Sequence, residues 1–156
     1  MEASERTLNM ATKDRVYGHF ITEDCNCSES ILKSINEEYS LGLDADHIRL
    51  ISAFGAGMGC GRTCGALSGG LAALGYMKVQ GRAHATKNFS PLCKGYVEKF
   101  EHDLGSTVCA ELKPRYRNDK TRCLLAVQLG ADVFDEYLKS LDDSADDSAK
   151  KENVKQ

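Results

Sequence analysis

The sequence has no tryptophan and only 2 prolines in 156 residues. Proline inside a helix removes a hydrogen bond, so a chain this poor in it is free to be helical over most of its length. No apolar run reaches the ~18 residues of a membrane span, so membrane insertion is not expected. The first 15 residues are charged and lack the apolar core of a secretory signal, which sets the expectation of a cytoplasmic protein. Positive charge is also short. The 20 lysines and arginines face 23 carboxylates, a net charge of −3, and this argues against a nucleic-acid partner. No Cys-x-x-Cys pair occurs, which excludes a thioredoxin-like motif, a zinc ribbon and covalent c-type haem attachment.

What the chain does have is 7 cysteines and 14 glycines. The cysteine count is odd and high for a chain without an export signal. In a reducing compartment such cysteines bind metal or do redox chemistry more often than they form disulfides. The glycines gather in residues 53–75, the stretch around which the chain is organised. Its first half, residues 55–61, is too glycine-dense for a regular element. Its second half, residues 61–76, reads as a helix of small residues, with Leu67, Leu71 and Leu74 at helical spacing. Gly61, Gly65 and Gly69 recur every four residues and form a groove on one face. Each glycine in a helix costs roughly 0.5–1 kcal/mol relative to alanine, so tight packing of a neighbour against this face is expected.

The remaining elements follow from caps and periodicity. A first helix is predicted over 7–20 and an amphipathic helix over 27–39, with Ile31, Leu32 and Ile35 on one face. Asp44 or Asp46 caps a helix that carries Ile48, Leu50, Ile51 and Phe54 into the glycine loop. Ser90-Pro91 starts a helix that runs to Leu104, where Gly105 stops it. Ser106 or Thr107 caps a short helix broken by Pro114. The last helix starts near Asn118 or Asp119 and ends near Leu141. No stretch alternates convincingly as a strand. The expected fold is all-α, a compact orthogonal bundle of about five to six helices around the glycine-rich loop and the small-residue helix. A single helical redox domain over 7–141 is followed by a mobile polar tail over 142–156.

Cys27, Cys64, Cys109 and Cys123 each fall at or near a predicted helix start. Free amide N–H groups and the positive end of the helix dipole favour an anion there, so Cys64 is expected to ionise more easily than a free cysteine. Cations stand close by in sequence. Arg62 precedes Cys64, Arg122 adjoins Cys123, and Lys113, Arg115 and Arg117 follow Cys109. Four thiolates around a [2Fe–2S] core form a dianion, which needs such compensation. His19, His47, His84 and His102 are scattered and fit surface or satisfied core positions better than ligand roles.

These residues carry a resemblance to a known family. Asn26-Cys27-Ser28-Glu29-Ser30, Gly57-Met58-Gly59, Thr63-Cys64-Gly65-Ala66-Leu67-Ser68-Gly69, Cys109 and Arg122-Cys123 are similar to the signature of the C_GCAxxG_C_C family of redox-active proteins. The resemblance spans roughly residues 16–138. It implies a redox protein whose four characteristic cysteines are Cys27, Cys64, Cys109 and Cys123. A domain of split-Soret-type cytochromes has a similar cysteine pattern, and the likeness implies an iron–sulfur cluster on those four residues. The haem-binding part of those cytochromes is not matched here. Cys25, Cys60 and Cys93 lie outside the four.

Three readings are open at this point. The first is electron transfer or redox sensing through a four-cysteine iron–sulfur cluster, [2Fe–2S] by ligand number, with a separate redox partner protein. The second is a thiol–disulfide oxidoreductase in which Cys64 attacks and Cys27 or Cys60 resolves. The third is a structural or metal-handling tetrathiolate site for zinc or copper. The glycine groove would take a helix of the same chain or of a second copy, a homodimer being the default oligomer. Under the first two readings Cys93 is a bystander. Cys93→Ser is expected to leave metal content, visible absorbance and thiol turnover unchanged, as measured on purified protein.

Overall fold

The computed structural model describes residues 10–153, with side chains through Ala145. Residues 7–9 of the predicted first helix, and the predicted frayed N-terminus before them, lie outside the described residues. Among the described residues there are seven α-helices, one or two more than expected: α1 (Thr12–Tyr17), α2 (Cys27–Glu38), α3 (Ala45–Ile51), α4 (Gly65–Lys78), α5 (Phe89–Leu104), α6 (Cys109–Tyr116) and α7 (Leu124–Asn153). The described residues contain no strand, only isolated antiparallel bridges at Thr63–Val108 and Asn118–Arg122. The fold is all-α.

Helix α4 is the central element. Gly65, Ala66, Leu67, Gly69, Gly70, Ala73 and Leu74 are all buried, so it presents small or apolar residues on every side that meets a neighbour. Helix α2 packs on its glycine face, the most extensive helix pairing among the described residues, and α5 and α7 cover other faces. A Cβ placed on Gly69 would lie 2.3 Å from Ile31 Cγ2 and 2.6 Å from the Ser28 carbonyl oxygen. On Gly70 it would meet the Tyr96 hydroxyl at 2.1 Å. The groove therefore seats α2, while Gly70, off that face, makes room for the α5 tyrosine. Gly61 is not part of it: α4 begins later than expected, and Gly61 sits in the preceding loop against Ala110.

Around this contact the core is continuous. Val16, Ile31, Ile35, Leu67, Leu74, Tyr96, Phe100, Val127 and Phe134 are wholly or almost wholly buried. Phe134 receives the Tyr39 and Tyr96 rings edge-on, with centroids 5.8 and 5.7 Å away. Asp135 on α7 accepts hydrogen bonds from Thr12 Oγ1 and Tyr39 hydroxyl, each 2.8 Å, and so ties α1, the end of α2 and α7 together. Burial pushes the Asp135 carboxyl above its ordinary range, and the two hydroxyl donors oppose that rise.

Several boundaries differ from expectation for local reasons. Helix α1 continues through a wider turn, Gly18–Thr22. Helix α5 starts at Phe89, with Asn88 in the left-handed region at φ 59°, which leaves Pro91 within the first turn where its missing N–H costs nothing. Pro114 does not break α6, which runs on to Tyr116 before Arg117 turns extended. Asn118 closes a tight turn instead of starting a helix, because its Oδ1 accepts the Lys120 and Thr121 amides. Arg122 is left-handed at φ 53°, so α7 cannot begin before it. At the other end α7 passes Leu141 and continues to Asn153, there being no glycine or proline to stop it.

Two glycines of α4 give opposite tests of the packing. Gly69→Ala is expected to lower the stability by roughly 1–3 kcal/mol, because backbone atoms of α2 must shift. Gly75→Ala is expected to raise it by roughly 0.5–1 kcal/mol, since its Cβ would meet only Phe89 Cζ at an ordinary 3.9 Å. Urea denaturation of both variants checks the pair of signs.

Candidate functional site

The fold brings the N-terminal ends of four helices to one place. Cys27 is the first residue of α2, Cys64 caps α4, Cys109 is the first residue of α6 and Cys123 immediately precedes α7. All four line one cavity of about 130 Å³. Phe20, Asn26 and Ala56 complete it near α2 and the glycine loop, and Lys113, Arg117 and Arg122 supply its positive charge.

Three local devices hold the four cysteines. Asn26 fixes the start of α2: its Oδ1 accepts the Ser28 and Glu29 amides at 3.0 and 3.1 Å, and its own N–H donates to Glu29 Oε2 at 2.9 Å. Cys27 Sγ then rests directly on α4, 2.3 Å from where a Cβ of Gly65 would stand. The glycine in Cys-Gly-Ala-x-x-Gly is thus the seat of another cysteine's sulfur. Cys64 and Cys109 are fastened side by side by the Thr63–Val108 bridge. The Cys64 amide donates to Thr107 O at 2.8 Å, and the Cys109 amide donates to Arg62 O at 2.6 Å.

The glycine loop lets these two segments meet. Ala56, Gly57, Met58 and Gly59 all have φ between 52° and 72°, a left-handed turn closed by the Arg62 amide on Gly57 O at 3.0 Å. Glycine adopts this region freely, whereas Ala56 and Met58 pay roughly 1–2 kcal/mol each. A Cβ on Gly57 would come within 2.7 Å of Cys109 Cβ. The fourth cysteine is positioned by its neighbour. Arg122 lies over the Phe20 ring at 4.4 Å, donates to the Phe20 carbonyl and pairs with Asp24 at 3.1 Å.

The electrostatics of Cys64 reverse the expectation from sequence. Its thiol is 6% exposed and is pushed up from 9.0 to about 12, first by burial. The Ala66 and Leu67 amides favour the thiolate, while nearby Cys27 and Cys109 oppose it. A helix N-terminus contributes roughly 0.3–1 kcal/mol, less than one pKa unit at about 1.4 kcal/mol, so desolvation wins. Cys109 and Cys123 are raised for the same first reason, and Lys113 and Arg117 work against the rise at both. Arg122 adds to that effect at Cys123.

The other sequence candidates fall elsewhere. Arg62 is exposed and does not line the cavity; its backbone carbonyl is what serves the site. Cys60 is exposed on the outside of the glycine loop, its Sγ 3.6 Å from Gly57 O, and does not share the cavity with Cys64. Cys25 stands 3.8 Å from Lys33 Nζ outside the cavity, and Cys93 is on α5. All seven cysteines are free thiols in the structure. Among the described residues, no three His, Cys, Asp or Glu side chains converge as a single metal ion requires. Sequence reasoning missed Asn26, Phe20 and Ala56. For Asn26 a signal existed, since Asn26 and Glu29 have the spacing of a capping box.

No curated protein and no solved structure matches the chain. A family profile does match, over residues 25–137, and its description is "Putative redox-active protein (C_GCAxxG_C_C)". That span contains all four cavity cysteines and most of the chain, and the chain therefore belongs to the C_GCAxxG_C_C family.

Proposed function

We propose that this chain carries single electrons through an iron–sulfur cluster, of the [2Fe–2S] type, held by Cys27, Cys64, Cys109 and Cys123. The observation that carries the reading is that four sulfurs far apart in sequence line one cavity with three cations. The donor set fits the group: four cysteine thiolates are its usual protein ligands. When bound, the cluster would supply a one-electron couple. The four helix N-termini and Lys113, Arg117 and Arg122 would offset the charge of the thiolates. Burial of Cys64 and Cys109 would keep water from the sulfurs, and Gly65 leaves Cys27 the room to face them.

The thiol–disulfide reading is less well supported. A nucleophilic cysteine acts as its thiolate, and burial holds Cys64 protonated up to about pH 12. Cys60, the other candidate for resolving, lies outside the cavity. The tetrathiolate zinc or copper reading draws on the same four cavity cysteines, and metal analysis separates it from the cluster.

Oxygen-protected protein from iron-replete cells is expected to be coloured and to contain iron and acid-labile sulfide in equal amounts. Cys64→Ser and Cys109→Ser should abolish both. Colourless wild-type protein with stoichiometric zinc would overturn the proposal. A separate check uses the metal-free chain at pH 8. Iodoacetamide, followed by mass mapping, should label exposed Cys60 at least tenfold faster than Cys64, given how far burial raises the latter. Equal rates would favour Cys64 as a working nucleophile.

A further inference from the structure

The stretch from α6 into α7 carries charge out of proportion to the rest of the chain. Residues 113–122 hold Lys113, Arg115, Arg117, Lys120 and Arg122 against the single carboxylate of Asp119, in a protein whose net charge is −3. Acidic side chains are plentiful, yet among the described residues only Arg122 of these five forms an ion pair. Lys113, Arg117 and Arg122 line the cysteine cavity, while Arg117 and Lys120 are exposed. The cavity wall thus runs out to the surface at Arg117. It also reaches the surface at Ala56 on the glycine loop, beside Met58, whose side chain is 44% exposed. The mouth has one basic lip and one small apolar lip.

Lys113, Arg117 and Arg122 face the cavity, and the exposed charge of Lys120 is surplus to that task. Unpaired surface cations beside a buried site act at longer range, by steering an oppositely charged body to it. We propose that this mouth is the docking face for an acidic patch on a one-electron carrier protein. Met58 would pack against an apolar spot on the partner, a role suited to its flexible side chain. One electron leaves the partner's reduced centre and arrives at the group held by the four cysteines, with no bond made or broken. The partner's identity as an electron carrier rests on the function proposed above, whereas the location and sign of the docking face do not. A nucleic acid fits less well, because a long polyanion would meet the acidic remainder of the chain and leave the apolar lip uncovered.

The test maps the face with hexacyanochromate(III), a redox-inert paramagnetic trianion, titrated into the full chain and followed by amide NMR. Broadening should concentrate on residues 113–122 and 56–58. Lys120→Glu, at a position outside the cavity wall, should weaken it several-fold. Broadening spread over the surface, or centred elsewhere, would overturn the proposal whether or not the protein holds a cluster. Polyglutamate should displace the chromate complex; a short DNA duplex that displaces it more tightly would assign the face to nucleic acid and overturn it too. In the loaded protein, oxidation by ferricyanide should slow about tenfold as salt rises. Oxidation by the cationic tris(phenanthroline)cobalt(III) should quicken, although the protein's net charge alone would give the opposite order. That opposite order would equally overturn the proposal.

Discussion

The structure depends on one close approach, that of the start of α2 onto the glycine face of α4. Cys27 Sγ occupies the space a side chain at residue 65 would fill, and Ile31 and the Ser28 carbonyl occupy the space at residue 69. With both positions bare, the axis of α2 comes close enough for its first residue to share a cavity with the cap of α4. Any larger side chain at residue 65 would displace a sulfur, not merely a methyl group. The helical cost of the glycines is thus offset by packing and by placement of the site at once.

The second constraint is electrostatic, and it sets two opposing tendencies against each other. Bringing four thiols into a partly enclosed space raises the cost of ionising any one of them, and each thiolate formed makes the next harder. Helix N-termini and three cations reduce this cost without removing it, as the upward displacement of Cys64, Cys109 and Cys123 shows. In the cluster-bound form proposed above, coordination to iron would reverse the balance by favouring the deprotonated sulfur. The same surroundings that make the free thiols sluggish would suit them as ligands of the proposed cluster.

Much of this was legible in the sequence, and what was not has physical reasons. The helical class, the glycine groove and the four helix-start cysteines follow from spacing and capping, which are local properties. The partner of the groove was not legible, because nothing local says that Ile31 and Ser28 will lie across from Gly69. Gly61 shows the limit of periodicity: it keeps the four-residue spacing, yet the left-handed turn at Ala56–Gly59 delays the helix past it. Asn118 has the chemistry of a helix cap and of a turn alike, and the left-handed Arg122 decides for the turn. Cys64 was misjudged because sequence reveals a helix start but not its depth of burial. Arg62 was misjudged because closeness in sequence does not say which way a side chain leaves an extended backbone.

Arg122 links the shape of the molecule to its charge in a way that bears on how it can be altered. Its left-handed backbone sets the direction in which α7 departs, while its guanidinium is clamped between the Phe20 ring, the Phe20 carbonyl and Asp24. Neutralising that side chain would also release the hinge on which the longest helix hangs. Electrostatic tuning at this corner is inseparable from mechanics, whereas Lys113 and Arg117 on the α6 side of the cavity carry charge without that second task.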